Sequence, residues 1–148
     1  PTMPAMSFPP IHAPCLLLAL LLGGCNHQNF DPAKANKPYP FELHTTNTFP
    51  VQVFRDGTSI EIVNSTDQHW EGATVWLNQQ FSHPLPVLKA GDRAILDLKS
   101  FRDDIGQEFN AGGFFRLRQP TEVALVEIQN GEGQPLVGFI AIGGRVRE

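Results

Sequence analysis

The sequence predicts an all-β domain built as an antiparallel β-sandwich of about seven short strands. Thirteen Gly, thirteen Pro and eleven Phe among 148 residues indicate many turns between short apolar segments, which is typical of β-proteins. Such segments recur at intervals of roughly 8 to 15 residues, as the strands of a sandwich do. No helical period is sustained after Cys25, so we expect no substantial helix in the folded part.

The first strands follow from the alternation of apolar and polar residues. Residues 51–55 and 59–64 alternate on either side of Asp56-Gly57, a dipeptide that favours a hairpin turn. Residues 73–82 carry the clearest strand pattern of the chain. The prolines in residues 83–88 predict an edge strand or a connection, because proline cannot donate a hydrogen bond to a β-ladder.

The second half of the domain ends in two strong apolar runs. After a strand in residues 94–101, residues 102–113 are expected to form a long loop and residues 114–118 a short strand. Residues 122–129 and 135–142 then read as a hairpin with a short connection. The second run is apolar on both faces, which favours a central strand.

Trp76 is expected on a middle strand, with its side chain opposite those of Val75 and Leu77. A sandwich of about 100 residues with a tryptophan in this position resembles immunoglobulin-like and fibronectin-type domains. The resemblance implies two antiparallel sheets packed face to face. An eight-stranded jelly roll or a small barrel is the alternative architecture. It extends to the architecture alone, since no cysteine follows Cys25 to form the disulfide of antibody domains.

An uncharged, apolar leader precedes the domain. Residues 16–25 read LLLALLLGGC, and all eleven Lys and Arg and all fifteen Asp and Glu lie after Cys25. The apolar run is shorter than the roughly 20 residues that a membrane-spanning helix needs. Its length is that of the hydrophobic region of a secretory signal peptide. Residues 1–24 are therefore predicted to be a signal peptide.

The end of this leader resembles the lipobox of bacterial lipoproteins. That motif places an aliphatic residue and two small residues before a cysteine, and here it reads Leu22-Gly23-Gly24-Cys25. The resemblance implies that a signal peptidase recognises the first three residues and cleaves before Cys25. It also implies that the thiol of Cys25 carries a lipid. The protein would then be held at a bacterial cell membrane, with its domain outside the cytoplasm.

The organisation that follows has three parts. Residues 1–24 form the signal peptide, and residues 25–49 form a flexible tether that starts at the acylated cysteine. The tether is predicted because Asn, Pro, Lys and Thr are frequent there and neither strand nor helix periodicity persists. Residues 50–148 form the β-sandwich domain.

Known catalytic and cofactor motifs are missing from the sequence. It contains no G-x-S-x-G, no Walker A loop, no H-E-x-x-H and no C-x-x-C. We therefore expect neither catalysis nor a cofactor. The net charge of −4 and the lack of a basic stripe also argue against nucleic acid as a partner.

Two polar groups are weaker candidates for chemistry. One loop contains three carboxylates, Asp103, Asp104 and Glu108. Their oxygens could bind Ca²⁺. Alternatively, the loop is a solvated turn whose Asp accepts hydrogen bonds from backbone amides. The second group consists of His69, Glu71 and His83. If the fold brings these side chains together, they could act in acid–base catalysis or bind a metal. Otherwise they are ordinary polar loop residues.

Aromatic residues suggest one further possibility. Exposed rings can stack on sugars, and the candidates for such a platform are Tyr39, Trp70 and Phe114. Trp70 could equally plug the end of the sandwich. The sequence thus favours a non-catalytic, lipid-anchored envelope module whose partner is an envelope protein or a glycan. The alternative is a carbohydrate-binding or other ligand-binding domain that uses aromatics near Trp70.

Overall fold

The computed structural model describes residues 30–112 and 119–142, and this part of the chain is mostly β. About 50% of it lies in strands, and no helix in it reaches seven residues. The strands are β1 His44–Asp56, β2 Ser59–Val63, β3 Trp70–Leu77, β4 Phe81–Leu88, β5 Arg93–Asp97, β6 Val126–Gln129 and β7 Leu136–Ile142. Short 3₁₀ turns occupy Pro32–Lys34, Phe41–Leu43 and Leu98–Ser100. The predicted strand at residues 114–118 lies outside the described residues.

The described strands form one curled, mixed sheet in the order β4-β3-β6-β7-β1-β2-β5. The prediction of an all-β fold with about seven strands is confirmed, but the expected pair of antiparallel sheets is not what these strands form. β1 runs parallel to β7, and all other neighbours are antiparallel. The physical reason lies in β1, whose thirteen residues pair with β2 on one side and β7 on the other. Two register shifts in the β1–β7 pair add the local twist that curls a sheet.

Both predicted hairpins are present. β1 and β2 pair from Gln52 with Val63 to Asp56 with Ser59, and Gly57 has a φ of 59° in the turn. β6 and β7 form the closing hairpin, and β7 lies between β6 and β1. This central place agrees with a strand that is apolar on both faces. β4 lies at one edge of the sheet, as its prolines predict.

The single strand expected over residues 73–82 is instead a hairpin. β3 ends at Leu77, and Leu77 pairs with Phe81 at the start of β4. Asn78 and Gln79 have φ values of 51° and 57°, a left-handed conformation without glycine. Contacts distant in sequence hold the turn, because Asn78 Oδ1 accepts from the amides of Ala124 and Leu125 at 2.9 and 3.1 Å. No turn motif in the local sequence predicts this reversal of chain direction.

The main hydrophobic core takes side chains from all seven strands. Its largest fully buried members include Ile60, Ile62 and Leu77 from the strands and Phe101 and Phe109 from the loop after β5. A second, smaller cluster lies apart from it and consists of Tyr39, Trp76 and Leu136, with Leu43 packed against them. Trp76 belongs to this cluster while Val75 and Leu77 belong to the core, as strand alternation predicts.

The described part of the predicted tether is packed against the sheet, which corrects the expectation of a flexible chain up to residue 49. Phe30 forms a β-bridge with Gln107. The amide of Asn36 donates to the carbonyl of Asp103 at 2.9 Å. Tyr39 is buried, and β1 already begins at His44. Polar composition suggested a linker, but one buried aromatic and a few backbone hydrogen bonds suffice to dock it.

Gly106 permits this docking. Its φ is 88°, and its carbonyl accepts from the amide of Asp31 at 3.0 Å. A Cβ at this position would overlap the carbonyl oxygen of Asp31. We therefore expect Gly106→Ala to lower the free energy of unfolding by about 1–2 kcal/mol for the left-handed backbone and by about 1–3 kcal/mol more for the overlap.

Gly91→Ala is the matched control, because Gly91 also has a positive φ, of 76°, and a Cβ there would meet nothing within 4 Å. Urea unfolding measures both variants, and hydrogen exchange at the amides of Asp31 and Asn36 reports the docked segment. Equal losses in the two variants, with unchanged exchange, would contradict the role of this contact.

Candidate functional site

The residues of the predicted lipidation site, Leu22, Gly23, Gly24 and Cys25, lie outside the described residues. So does Phe114, one of the three candidate aromatics. Within the described part of the chain, no helix is long and apolar enough to cross a membrane.

Trp70 is a core residue and not an exposed platform. It is 2% exposed, and its ring packs at 5.7 Å from Phe49 and 5.5 Å from Phe139 between centroids. Both Trp70 and Ala73 face the core although they are three residues apart. Gly72 lies between them with a φ of 66°, which breaks the alternation of β3. Trp70 was interpreted either as an exposed sugar platform or as a buried residue that plugs the end of the domain. Its burial agrees with the second interpretation.

The acidic loop uses its carboxylates to hold its own backbone. Asp103 is buried, and its Oδ1 accepts from the amides of Ile105 and Gln107 at 3.1 and 2.7 Å. Its Oδ2 accepts from Gln80 Nε2 at 3.3 Å. An Asp that caps backbone amides in this way matches the turn interpretation of the loop.

The other two carboxylates of the loop do not join Asp103. Glu108 Oε2 accepts from Arg102 at 3.2 Å, and Asp104 is exposed. Among the described residues, no three His, Cys, Asp or Glu side chains converge as a metal site would require. The calcium interpretation therefore has no geometric support in this part of the chain.

His69, Glu71 and His83 are not brought together either. Glu71 pairs with Val87 across the β3–β4 ladder, four residues along β4 from His83, which is a separation of roughly 13 Å at the usual rise of a strand. The His83 ring instead packs 5.2 Å from Phe101. Groups that must act on one substrate need to lie closer together than this.

A buried carboxylate that the sequence analysis missed lies on the other side of the sheet. Glu127 of β6 is 1% exposed. The hydroxyl of Tyr39 donates to its Oε2 at 2.8 Å, and His44 Nδ1 lies 2.8 Å from its Oε1. His44 Nδ1 is also 3.0 Å from the Tyr39 hydroxyl. The only available signal was a Glu between Val126 and Ile128 in an apolar strand.

This triad ties the segment before β1 to the centre of the sheet. A buried carboxylate needs hydrogen-bond partners to offset its desolvation, and here both partners come from a sequence distance of more than 80 residues. Burial, and secondarily the neighbouring Glu127, raises the pKa of Tyr39 well above its usual range. The hydroxyl is therefore held as a proton donor. We assign the triad a structural role.

A groove of about 620 Å³ lies beside the triad. Its floor is formed by Gly72, Thr74 and Trp76 of β3 and by residues 82 and 84 of β4. One wall is residues 36–43, called the covering segment below, and the other is the turn after β6. Lys37 Nζ and Glu132 Oε1, 2.6 Å apart, join the two walls.

Trp76 connects the groove to the triad. Its ring makes an edge-on contact with Tyr39, with centroids 5.3 Å apart, and it pairs across the ladder with Glu127. The indole is 3% exposed. Its N–H is the buried side-chain polar group that finds no acceptor among the described residues. Among the aromatic residues in the described part of the chain, Trp76 lines this groove and Trp70 does not.

Comparison with known proteins adds no relationship from which a function could be transferred. No family model, no curated protein and no solved structure matches the chain. The candidate site therefore rests on the geometry of the described residues.

The burial of Tyr39 has a direct spectroscopic consequence. Tyr39 is the chain's one tyrosine, so the ultraviolet absorbance of tyrosinate reports on it alone. Because its pKa is raised in the fold, we expect the native protein to show no tyrosinate near pH 10, whereas protein unfolded in guanidinium titrates near pH 10. The raised pKa also means that stability is lost as pH rises above about 10.

Glu127→Gln is the comparison variant for this titration, since it keeps the shape of the side chain but removes its charge. The Tyr39 pKa should fall toward, but not reach, its ordinary value, because burial remains the larger cause. Native tyrosinate that forms at pH 10 in the unmodified chain would contradict the triad.

His83 should make stability depend on pH in the mildly acidic range. Burial lowers its pKa below 6.5 in the fold, so the unfolded chain binds the proton more readily. The contribution of His83 to the free energy of unfolding is therefore complete above about pH 6.5. It is lost as the pH falls toward the pKa of His83 in the folded protein. Urea unfolding at pH 7.5 and 5.5 measures this, with His83→Gln as the variant.

The variant should lose less stability than the unmodified chain between these two pH values. His69→Gln, at an exposed histidine, serves as the matched control and should behave like the unmodified chain. An identical pH response in all three proteins would show that His83 is not desolvated by the fold.

Proposed function

We propose that this chain is a non-catalytic lipoprotein of the bacterial cell envelope, anchored through a lipid on Cys25. The observation that carries the proposal is the sequence Leu22-Gly23-Gly24-Cys25 at the end of an uncharged apolar run. Small residues before the cysteine suit the narrow site of a signal peptidase, and the thiol is the nucleophile that accepts the lipid. The β-domain would then act outside the cytoplasm, next to the membrane.

The domain itself is proposed to be an interaction module for an envelope partner. This proposal is supported by the contacts of three side chains that were considered for catalysis or metal binding. Asp103 is engaged by backbone amides, Glu108 by Arg102, and His83 is packed on Phe101. The curled sheet would provide a rigid frame, with its loops and edge strands available to a partner.

Docking of residues 30–43 onto the sheet shortens any tether in this proposal. Because Phe30 already contacts Gln107, the linker between Cys25 and the folded part spans only a few residues. Such a linker reaches roughly 10–15 Å, which would hold the domain close to the membrane surface. The covering segment and the groove would then lie near the membrane-proximal end of the chain.

Replacement of Cys25 tests the anchor. In a bacterial host, Cys25→Ser should abolish incorporation of an alkyne-tagged fatty acid and release the protein from the membrane fraction, because serine offers no thiol to the lipid donor. Cys15→Ser is the matched control, since that residue lies within the predicted signal peptide. It should be labelled and retained like the unmodified chain. Membrane retention and labelling of Cys25→Ser would refute the proposal.

A further inference from the structure

We propose that the groove beside Trp76 is a binding site for a neutral, short oligosaccharide. Its volume of about 620 Å³ lies within the range of small-molecule sites. It has a built frame, because the covering segment is fixed to the sheet at Asn36 and at Tyr39. This inference does not depend on the lipid anchor and concerns a different part of the chain.

The charges of the lining favour an uncharged ligand. Lys37 and Glu132 neutralise each other across the groove at 2.6 Å, and the hydrogen bond from Lys37 lowers the pKa of Glu132. Glu42 is the remaining charged residue of the lining. A negative charge at this place repels anionic ligands, and no cationic cluster is present in the lining to attract them.

The uncharged part of the lining matches the chemistry of a sugar. Thr74 and Gln129 offer neutral hydrogen-bonding groups, as hydroxyl-rich ligands require. The prolines of the lining, Pro38, Pro40 and Pro84, present apolar surfaces to the C–H faces of sugar rings. The buried indole N–H of Trp76 lacks an acceptor among the described residues. A sugar hydroxyl that reaches it through a small movement of the ring would satisfy it.

A peptide fits this groove less well. Extended peptides bind by adding a strand to an open sheet edge. The groove instead lies over β3, which is paired on both sides. The neighbouring edge strand β4 carries Pro84 in the lining, and proline offers no amide to an added strand. The recognition available here is therefore through side chains, as in glycan binding.

Calorimetric titration of the full chain, kept in a detergent without a sugar headgroup, tests the proposal. The probes are N,N′,N″-triacetylchitotriose, cellotriose and maltotriose. At least one of them should bind saturably at one site per chain, and more tightly than a hyaluronan tetrasaccharide or the peptide Ala-Pro-Pro-Ala. No saturable binding of the three neutral sugars at up to about 10 mM, the weak end of measurable affinity, would overturn the proposal. A preference for the acidic sugar or the peptide would also overturn it.

Two variants locate the site. Thr74→Val should weaken binding of the sugar about three- to tenfold by removing one hydrogen bond. Thr46→Val, at an exposed threonine of β1 outside the lining, should leave the affinity unchanged. Equal affinities for both variants would place the sugar elsewhere and refute this site. Trp70→Phe leaves Trp76 as the sole tryptophan, whose emission should shift when sugar binds.

The groove and the lipid anchor can be tested independently of each other. Cys25→Ser should bind the sugar with unchanged affinity, because the groove and the anchor share no residue. Weaker sugar binding in Thr74→Val with normal lipidation would support the groove alone. Absence of sugar binding in a normally lipidated protein would remove the groove proposal and leave the anchor standing.

Discussion

The parallel pairing of β1 with β7 joins two groups of strands into one sheet, and both the core and the groove follow from it. It is the one junction between the strands β4-β3-β6-β7 and the strands β1-β2-β5 within the described sheet. The pairing begins at His44 with Leu136 and continues to Phe54 with Ile142. Without it, the described strands would separate into two smaller sheets, each with an exposed edge. The long-range ladder therefore makes one core out of two halves.

Local chemistry supports this junction. Thr45 Oγ1 donates to the carbonyl of Leu136 at 2.6 Å. Gly138 faces Thr48, and a Cβ there would lie 3.1 Å from the Thr48 methyl carbon, so the absence of a side chain allows the strands to approach closely. The same junction places His44 next to β6, the neighbour of β7. The buried Glu127 is thus within hydrogen-bond distance of His44 and Tyr39. The covering segment packs against Trp76 and forms one wall of the groove.

Sequence reasoning succeeded where neighbouring residues carry the signal. The turn at Asp56-Gly57, the closing hairpin and the central place of β7 all follow from alternation and turn chemistry. It failed where distant contacts decide the conformation. The turn at Asn78 is held by amides of residues 124 and 125, and Gly72 shifts the phase of β3 so that Trp70 enters the core. The contacts that hold the turn at Asn78 cannot be seen in a window of a few residues.

The local strand patterns and the expectation of a lipid-bearing Cys25 could be predicted from the amino-acid sequence, because both depend on short runs of consecutive residues. The folded structure was needed to show that Trp70 is a core residue and that Trp76 lines a groove. It also revealed Glu127 as the buried partner of Tyr39 and docked the segment that composition alone suggests is a linker. The physical reason is that these features depend on contacts between residues far apart in the sequence, more than 80 residues apart for Glu127 with Tyr39 and with His44. The entropic cost of such contacts is repaid only when the whole sheet forms.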